Sequence, residues 1–383
     1  MTLDGALVSK VRPMAGEGTA DAVVIGGGIM GCSAAFFLAQ AGVKVTLVEK
    51  AEQVGTEASG RSGGGIRANG RKPAEVPLAI AAVRLWEAFR DEYGGQFEYD
   101  QFGQMYLARN EMELDSLQRA APVLQGLGLP VQIVVGHDLK ELCPHLSPIV
   151  IGALYCPTDG QANPILATRF VGRLAEREGV RILTGTAVTG LEHQSGRITG
   201  VLTPRGRIAT GAVVCAVGPW ANNIAGMVGV TLPVQPVPQC IGVTTPTGPV
   251  LRQTLSGHTV FARPTRAGNL VFSGNKERPA PGFSQETDLQ ILRWAVRRLA
   301  ELLPPVAQTS LLRSWAGTLA VSPDRMLILD RMPGVENMTF ATGCSGHGFC
   351  LGPAVGKVLA ELTLGRAPSV PIDGLRLERF GPS

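Results

Sequence analysis

The stretch from Asp21 to Glu49 constrains this chain more than any other. Ala22 to Ile25 is a short, mostly β-branched run suited to a parallel strand buried on both faces. GGGIMG follows, then a helix-compatible segment from Cys32 to Gln40, with Gly42 placed to end it in a left-handed conformation. Val43 to Val48 alternates as a second strand and leads into Glu49. Together these make one βαβ unit. In Gly26-x-Gly28-x-x-Gly31, the first glycine permits the tight turn and the second admits a pyrophosphate to the backbone. The third allows close helix–strand packing, and the helix N-terminus supplies partial positive charge. Ile29 and Met30 open that helix and join the expected cofactor contacts. Glu49 stands at the separation expected for a carboxylate accepting from ribose hydroxyls. The unit predicts a dinucleotide with an unphosphorylated ribose, and by itself does not choose between NAD and FAD.

The other bulk properties exclude several classes. At 383 residues, 45% hydrophobic and 17% charged, the chain can bury a large interior, and its length suggests two or three domains. The net charge of +4 comes from scattered basic residues, without the basic run of a nucleic-acid binder. Seven cysteines lack paired metal spacings, so no metal site is expected, and reduced thiols in a cytoplasmic protein are the simplest reading. The glycines within Ala22–Leu38 break its apolar run, and no transmembrane segment is expected.

Residues 1–20 read as a loose N-terminal arm. A glycine-rich segment, ASGRSGGGIRANGRK, spans Ala58–Lys72, and a helix is expected from Leu78 to Tyr93. Asn163 and Pro164 form an N-cap and first position for another. Three strands are expected between Ala187 and Val217, an edge strand within the proline-rich passage Leu232–Pro249, and a helix over 287–303. Met338–Ala341 is a strand running through TGCSGHG into a helix from about Pro353 to Leu364. Nucleotide-type segments thus lie at the start, middle and end of the chain. The expected fold is α/β: a Rossmann-like domain from 21–85, 150–225 and 320–383, with an inserted α+β substrate domain from 86–149 and 226–319, built on an antiparallel sheet.

Three segments together, VVIGGGIMGCSAAFFLAQAGVKVTLVEK, ASGRSGGGIR and ATGCSGHGF, resemble the D-amino-acid oxidase-like family of FAD enzymes, which includes glycine and sarcosine oxidases. GRSGGGIRANGRKPAEVPLAIAAVRLWE and GCSGHGFCLGPAVG look most like the catalytic subunits of D-hydroxyproline and proline dehydrogenases, opine oxidase and hydrogen cyanide synthase. The resemblance turns the dinucleotide into FAD. It implies that Gly26, Gly28 and Gly31 meet the pyrophosphate, Glu49 the adenosine ribose and Lys50 the adenine region. Ser59, Gly60, Arg61, Ser62 and Gly63 would pass along the phosphates toward the flavin, and Val188 would offer backbone to the adenine. Gly218 would sit beside the flavin, with Trp220 a further contact. Gly343, Ser345, Gly346, His347, Gly348 and Phe349 would follow the ribityl chain. The implied reaction is hydride removal from the carbon beside an amine of proline, hydroxyproline, sarcosine or glycine type, giving an imine.

Departures from the family sharpen this. The stretch Trp315–Ser322 holds no flavin-linking cysteine, which implies non-covalent FAD. Cys350 stands where such oxidases place a carboxylate-binding lysine, and Leu270–Gly274 lacks their oxygen-activating lysine. The expectation is therefore a dehydrogenase passing electrons to a partner subunit or quinone, at the membrane periphery where the partner resides there. A peroxide-releasing oxidase is the alternative, and an idle FAD-binding subunit of a larger complex a third.

Among single residues, Arg67 either pairs with a substrate carboxylate or binds phosphate or caps its loop. Arg263 is a second candidate for the carboxylate, against a solvated surface role. His347 beside the flavin either supports its loop or moves a proton. Tyr106 either reaches substrate or packs in the core, and His258 either lines the pocket or packs.

Overall fold

The computed structural model describes residues 18–257, 259–274 and 280–381. His258 and nearly all of the expected arm lie outside them. Thr19 and Ala20, read as part of the arm, instead begin the first strand, Thr19–Ile25. They pair there with Ala209 and Thr210.

Among the described residues, two eight-stranded sheets and one two-stranded ribbon carry the fold. In the first, Thr19–Ile25 lies between Gly206–Cys215 and Val45–Val48, and all three run parallel. Met338–Thr342 extends the sheet on one side and Arg181–Leu183 on the other, again parallel. Ala22–Ile25, Val45–Val48 and Met338–Thr342 are buried throughout, which is why the sequence reads there as continuous apolar runs rather than alternation. Helix Ile29–Gln40 returns the chain across the sheet, and Gly42 follows it at φ +81° as expected. Asn163 caps Pro164–Arg177 by accepting from Leu166 N–H.

The last helix, Gly348–Thr363, begins a turn earlier than the position of Pro353 suggests. Close packing against the first helix holds it. A Cβ on Gly352 would lie 2.5 Å from Ile29, and one on Gly356 2.3 Å from Ser33.

In the second sheet the order is Leu311–Val321, Gln235–Thr244, Leu270–Gly274, Val260–Pro264, Thr254–Gly257, Gln104–Ala108, Gly152–Cys156, Gln132–Val135. Its pairs are antiparallel except the contact of Thr254–Gly257 with Gln104–Ala108. Helix Leu289–Leu302 buries Leu292, Ala295, Leu299 and Leu302 in this sheet's core cluster. Gly152–Cys156 belongs to this second sheet, although the segment from residue 150 reads in sequence as nucleotide domain.

The strand in the proline-rich passage is not an edge strand. Gln235–Thr244 pairs along its length with Leu311–Val321, and from Ile241 to Val243 also with Leu270–Gly274. Pro236 and Pro238 fall in the half with a single neighbour, where a missing N–H is tolerated.

Candidate functional site

A cavity of about 460 Å³ runs between the two sheets. The glycine turn forms one end. Gly26 has φ +106°, and a Cβ there would stand 2.6 Å from Ala216 O. Gly28 lines the cavity beside Ser59, whose Oγ accepts from Ile29 N–H at 3.0 Å. Met30 lines it as well. Gly28 is the helix N-cap, and the first turn carries neither a side-chain cap from Gly28 nor an acid. Backbone donors are thereby left for an anion.

Glu49 lies at the end of its strand on the cavity wall, with Oε2 accepting from Gly27 N–H (2.6 Å) and Oε1 from Ala51 N–H (2.7 Å). Lys50 Nζ sits 3.3 Å from the centre of the Trp220 ring, and burial lowers its pKa. Val188 and Gly218 line the cavity as well.

Arg61, Ser62 and Gly63 continue the wall. Arg61 also ties the glycine loop to the second sheet: its Nη1 donates to Ala316 O at 2.8 Å, and its carbonyl accepts from Trp315 Nε1 at 3.0 Å. Ser345, Gly346, His347, Gly348 and Phe349 form the opposite wall, where the last helix starts without an N-terminal side-chain cap or first-turn acid. Gly31, Gly60 and Gly343 do not line the cavity. Gly31 and Gly60 allow tight turns, since a Cβ on either would fall within 2 Å of a carbonyl oxygen, Gly26 O or Gly55 O. Gly343 has φ +72° and packs beside Ser322 and Ile328.

Of the four catalytic candidates, two reach the cavity. Arg67 lines it; burial and then neighbouring Arg71 bring its pKa down to about 10. Its backbone is stitched to Cys350: Arg67 N–H donates to Sγ at 3.1 Å, and the thiol donates back to Arg67 O at 3.2 Å. His347 also lines the cavity; burial and then Arg71 lower its pKa to about 4, against the opposing pull of Glu75. Arg263 does not. It is buried, its Nε donates to Gly63 O, and it braces the glycine loop from behind. Tyr106 lies on an adjoining cavity of about 410 Å³, also lined by Arg71, with its ring against Gly70.

Sequence reasoning missed several residues here. Arg71 lines the main cavity with Nε and Nη2 donating to Arg67 O, while Nη1 has no partner among the described residues. Glu75 is fully buried; its Oε2 meets His347 Nδ1 at 3.1 Å and Oε1 accepts from Leu327 N–H at 2.9 Å. Burial works against its charge, but the His347 hydrogen bond and Arg71 outweigh it and hold the pKa below the ordinary value. In sequence Glu75 is simply an acid in a helix's first turn, which gives no signal. Phe261, Ile241 and Leu319 supply an apolar wall from the second sheet, a set that only strand pairing assembles.

The donor set fits a flavin dinucleotide. Two helix N-termini face one elongated cavity, and Glu49 marks a ribose position at the far side of the glycine turn. Residues 21–362 match the profile of a family described as FAD dependent oxidoreductase. The chain is 25% identical to the sarcosine oxidase subunit beta of Rhizobium meliloti, over 94% of this chain and 88% of that protein. It is 28% identical to the glycine oxidase of Geobacillus kaustophilus, over 89% and 92%. Among solved structures, L-proline dehydrogenase from P. horikoshii superposes with a TM-score of 0.89 at 31% identity, over 94% of this chain and 97% of that one.

Proposed function

Since the chain belongs to the FAD-dependent oxidoreductase family, we propose that it oxidises a small amino or imino acid of proline, hydroxyproline, sarcosine or glycine type at the carbon beside nitrogen. The observation that carries this reading is the continuity of one cavity from Glu49 to Arg67 and His347. A cofactor held at the glycine turn thereby reaches a chamber walled by the second sheet.

Glu49 would hold the adenosine ribose, and Lys50 with Trp220 would flank the adenine. Gly26, Gly28 and the first helix's N-terminus would take the pyrophosphate. Ser59, Arg61, Ser62, Gly63, Gly218 and Ser345 to Phe349 would follow the ribityl chain and ring. When bound non-covalently, FAD supplies the acceptor for the hydride leaving carbon. Arg67 orients the substrate by pairing with its carboxylate, a role that suits a buried guanidinium whose side-chain partner, Asn69 O, is neutral. Phe261, Ile241 and Leu319 exclude water from the reacting carbon.

Electrons are assigned to a partner subunit or quinone because Cys350 is committed to the Arg67 backbone and Leu270–Gly274 carries no lysine. Anaerobic mixing with D- and L-proline, hydroxyproline, sarcosine and glycine tests the reading. Bleaching of the flavin by at least one is expected, and a panel with no bleaching overturns it. Abundant peroxide from the isolated chain would instead make it an oxidase. No helix among the described residues is long and apolar enough to cross a membrane.

A further inference from the structure

The Glu75–His347 pair fixes which nitrogen of the imidazole carries its proton. Glu75 is fully buried within the Pro73–Glu75 turn, and it is held ionised. A carboxylate has no proton to donate, so the 3.1 Å contact requires His347 Nδ1–H to donate to Oε2. The second oxygen is occupied by Leu327 N–H, so the carboxylate cannot rotate away without orphaning that donor. The imidazole is neutral, because burial and the nearby Arg71 and Arg67 all disfavour its cation and only Glu75 favours it. Nε2 is therefore a bare lone pair. The ring lies in the cavity wall, and Nε2 has no partner among the described residues.

We propose that Glu75 is a positioning residue that presents His347 Nε2 to the cavity as a hydrogen-bond acceptor for the N–H of the substrate amine. This rests on the amine-oxidising reading above. The same cavity wall carries two guanidiniums close enough to act on the imidazole, Arg67 and Arg71, whose own hydrogen bonds go to neutral carbonyls. An acceptor next to cations matches both polar ends of an amino acid, its N–H and its carboxylate. His347 orients the amine and does not store its proton, since so weak a base loses the competition with an aliphatic amine.

The test uses ¹⁵N-histidine NMR of the FAD-loaded full chain. In the resting enzyme His347 should show a protonated Nδ1 and an unprotonated Nε2. In Glu75→Gln the single amide oxygen is claimed by Leu327 N–H, which leaves the NH₂ facing Nδ1 and drives the proton to Nε2. The two resonances should exchange character, and KM for the amine should rise about tenfold. Adding the amine panel to enzyme with pre-reduced flavin, which cannot turn over, should move the Nε2 resonance. Tetrahydro-2-furoate, with ring oxygen in place of N–H, should leave it in place.

An Nε2–H tautomer in the wild type, or no movement with any amine, overturns the proposal. Bleaching without movement defeats this proposal and leaves the function standing; movement without bleaching does the reverse. Should Glu75→Gln fail to fold, His347→Gln against His347→Leu decides. The glutamine keeps an acceptor and should retain amine affinity within a few-fold, while equal losses in both overturn the proposal.

Discussion

At the scale of single residues, the cavity is governed by a few buried polar groups with defined partners. Glu49 holds Gly27 and Ala51 by their N–H groups and still has lone pairs for two hydroxyls. Glu49→Ala should therefore weaken FAD binding by about 2 kcal/mol, roughly thirtyfold in Kd, read by quenching of flavin fluorescence. Asp159 and His347 give opposite dependences on pH. Burial raises the Asp159 carboxyl to about 6, against bonds from Ala68 and Asn69 N–H. Its folded pKa lies above the unfolded value, so its contribution is full below about pH 4 and is lost as pH rises through 6. His347 is depressed to about 4, so the folded state binds fewer protons there and loses stability as pH falls from about 6.5 to 4. Each slope amounts to up to about 3 kcal/mol at 1.36 kcal/mol per pKa unit. Urea titrations across pH 4–7 should show a nearly flat wild type. His347→Gln should become less stable as pH rises, and Asp159→Asn should become more stable.

At the scale of elements, the site depends on how closely two helices approach. Gly352 and Gly356 bring Gly348–Thr363 against Ile29–Gln40, so that both N-termini open onto one cavity. Gly356→Ala would put a methyl 2.6 Å from Ala34 N. The expected cost is about 1–3 kcal/mol in thermal unfolding, with FAD affinity falling as the helix ends part. These elements were largely legible beforehand. Strand runs, Gly42 and the Asn163–Pro164 cap all rest on local rules, in which a residue's conformational preference acts on its own neighbourhood. Pro353 misled because its ring forbids only one helical hydrogen bond, and packing of two glycine-bearing helices outweighs that loss.

At the scale of the whole molecule, the cofactor cavity is a joint between two sheets. The glycine loop is pinned to the second sheet by Arg61, through bonds of 2.8 Å to Ala316 O and 3.0 Å from Trp315, and the apolar wall comes from the second sheet. FAD should therefore stabilise both sheets at once. Stripping it should lower stability by about 2.7 kcal/mol relative to protein held at a hundredfold excess over Kd, seen as a lower Tm that returns on adding FAD.

The sequence alone determined the βαβ unit, the glycine turn with Glu49, and through its three motifs the FAD family. Each of these is written in contiguous residues whose spacing performs the physical task. Tertiary structure decided the rest. It buried Arg263, a candidate for either the carboxylate or the surface, against Gly63 O, and put Tyr106 on another cavity. It also joined Glu75 to His347 across 272 positions. A buried polar group takes its role from the partner that satisfies it, and packing alone brings that partner near.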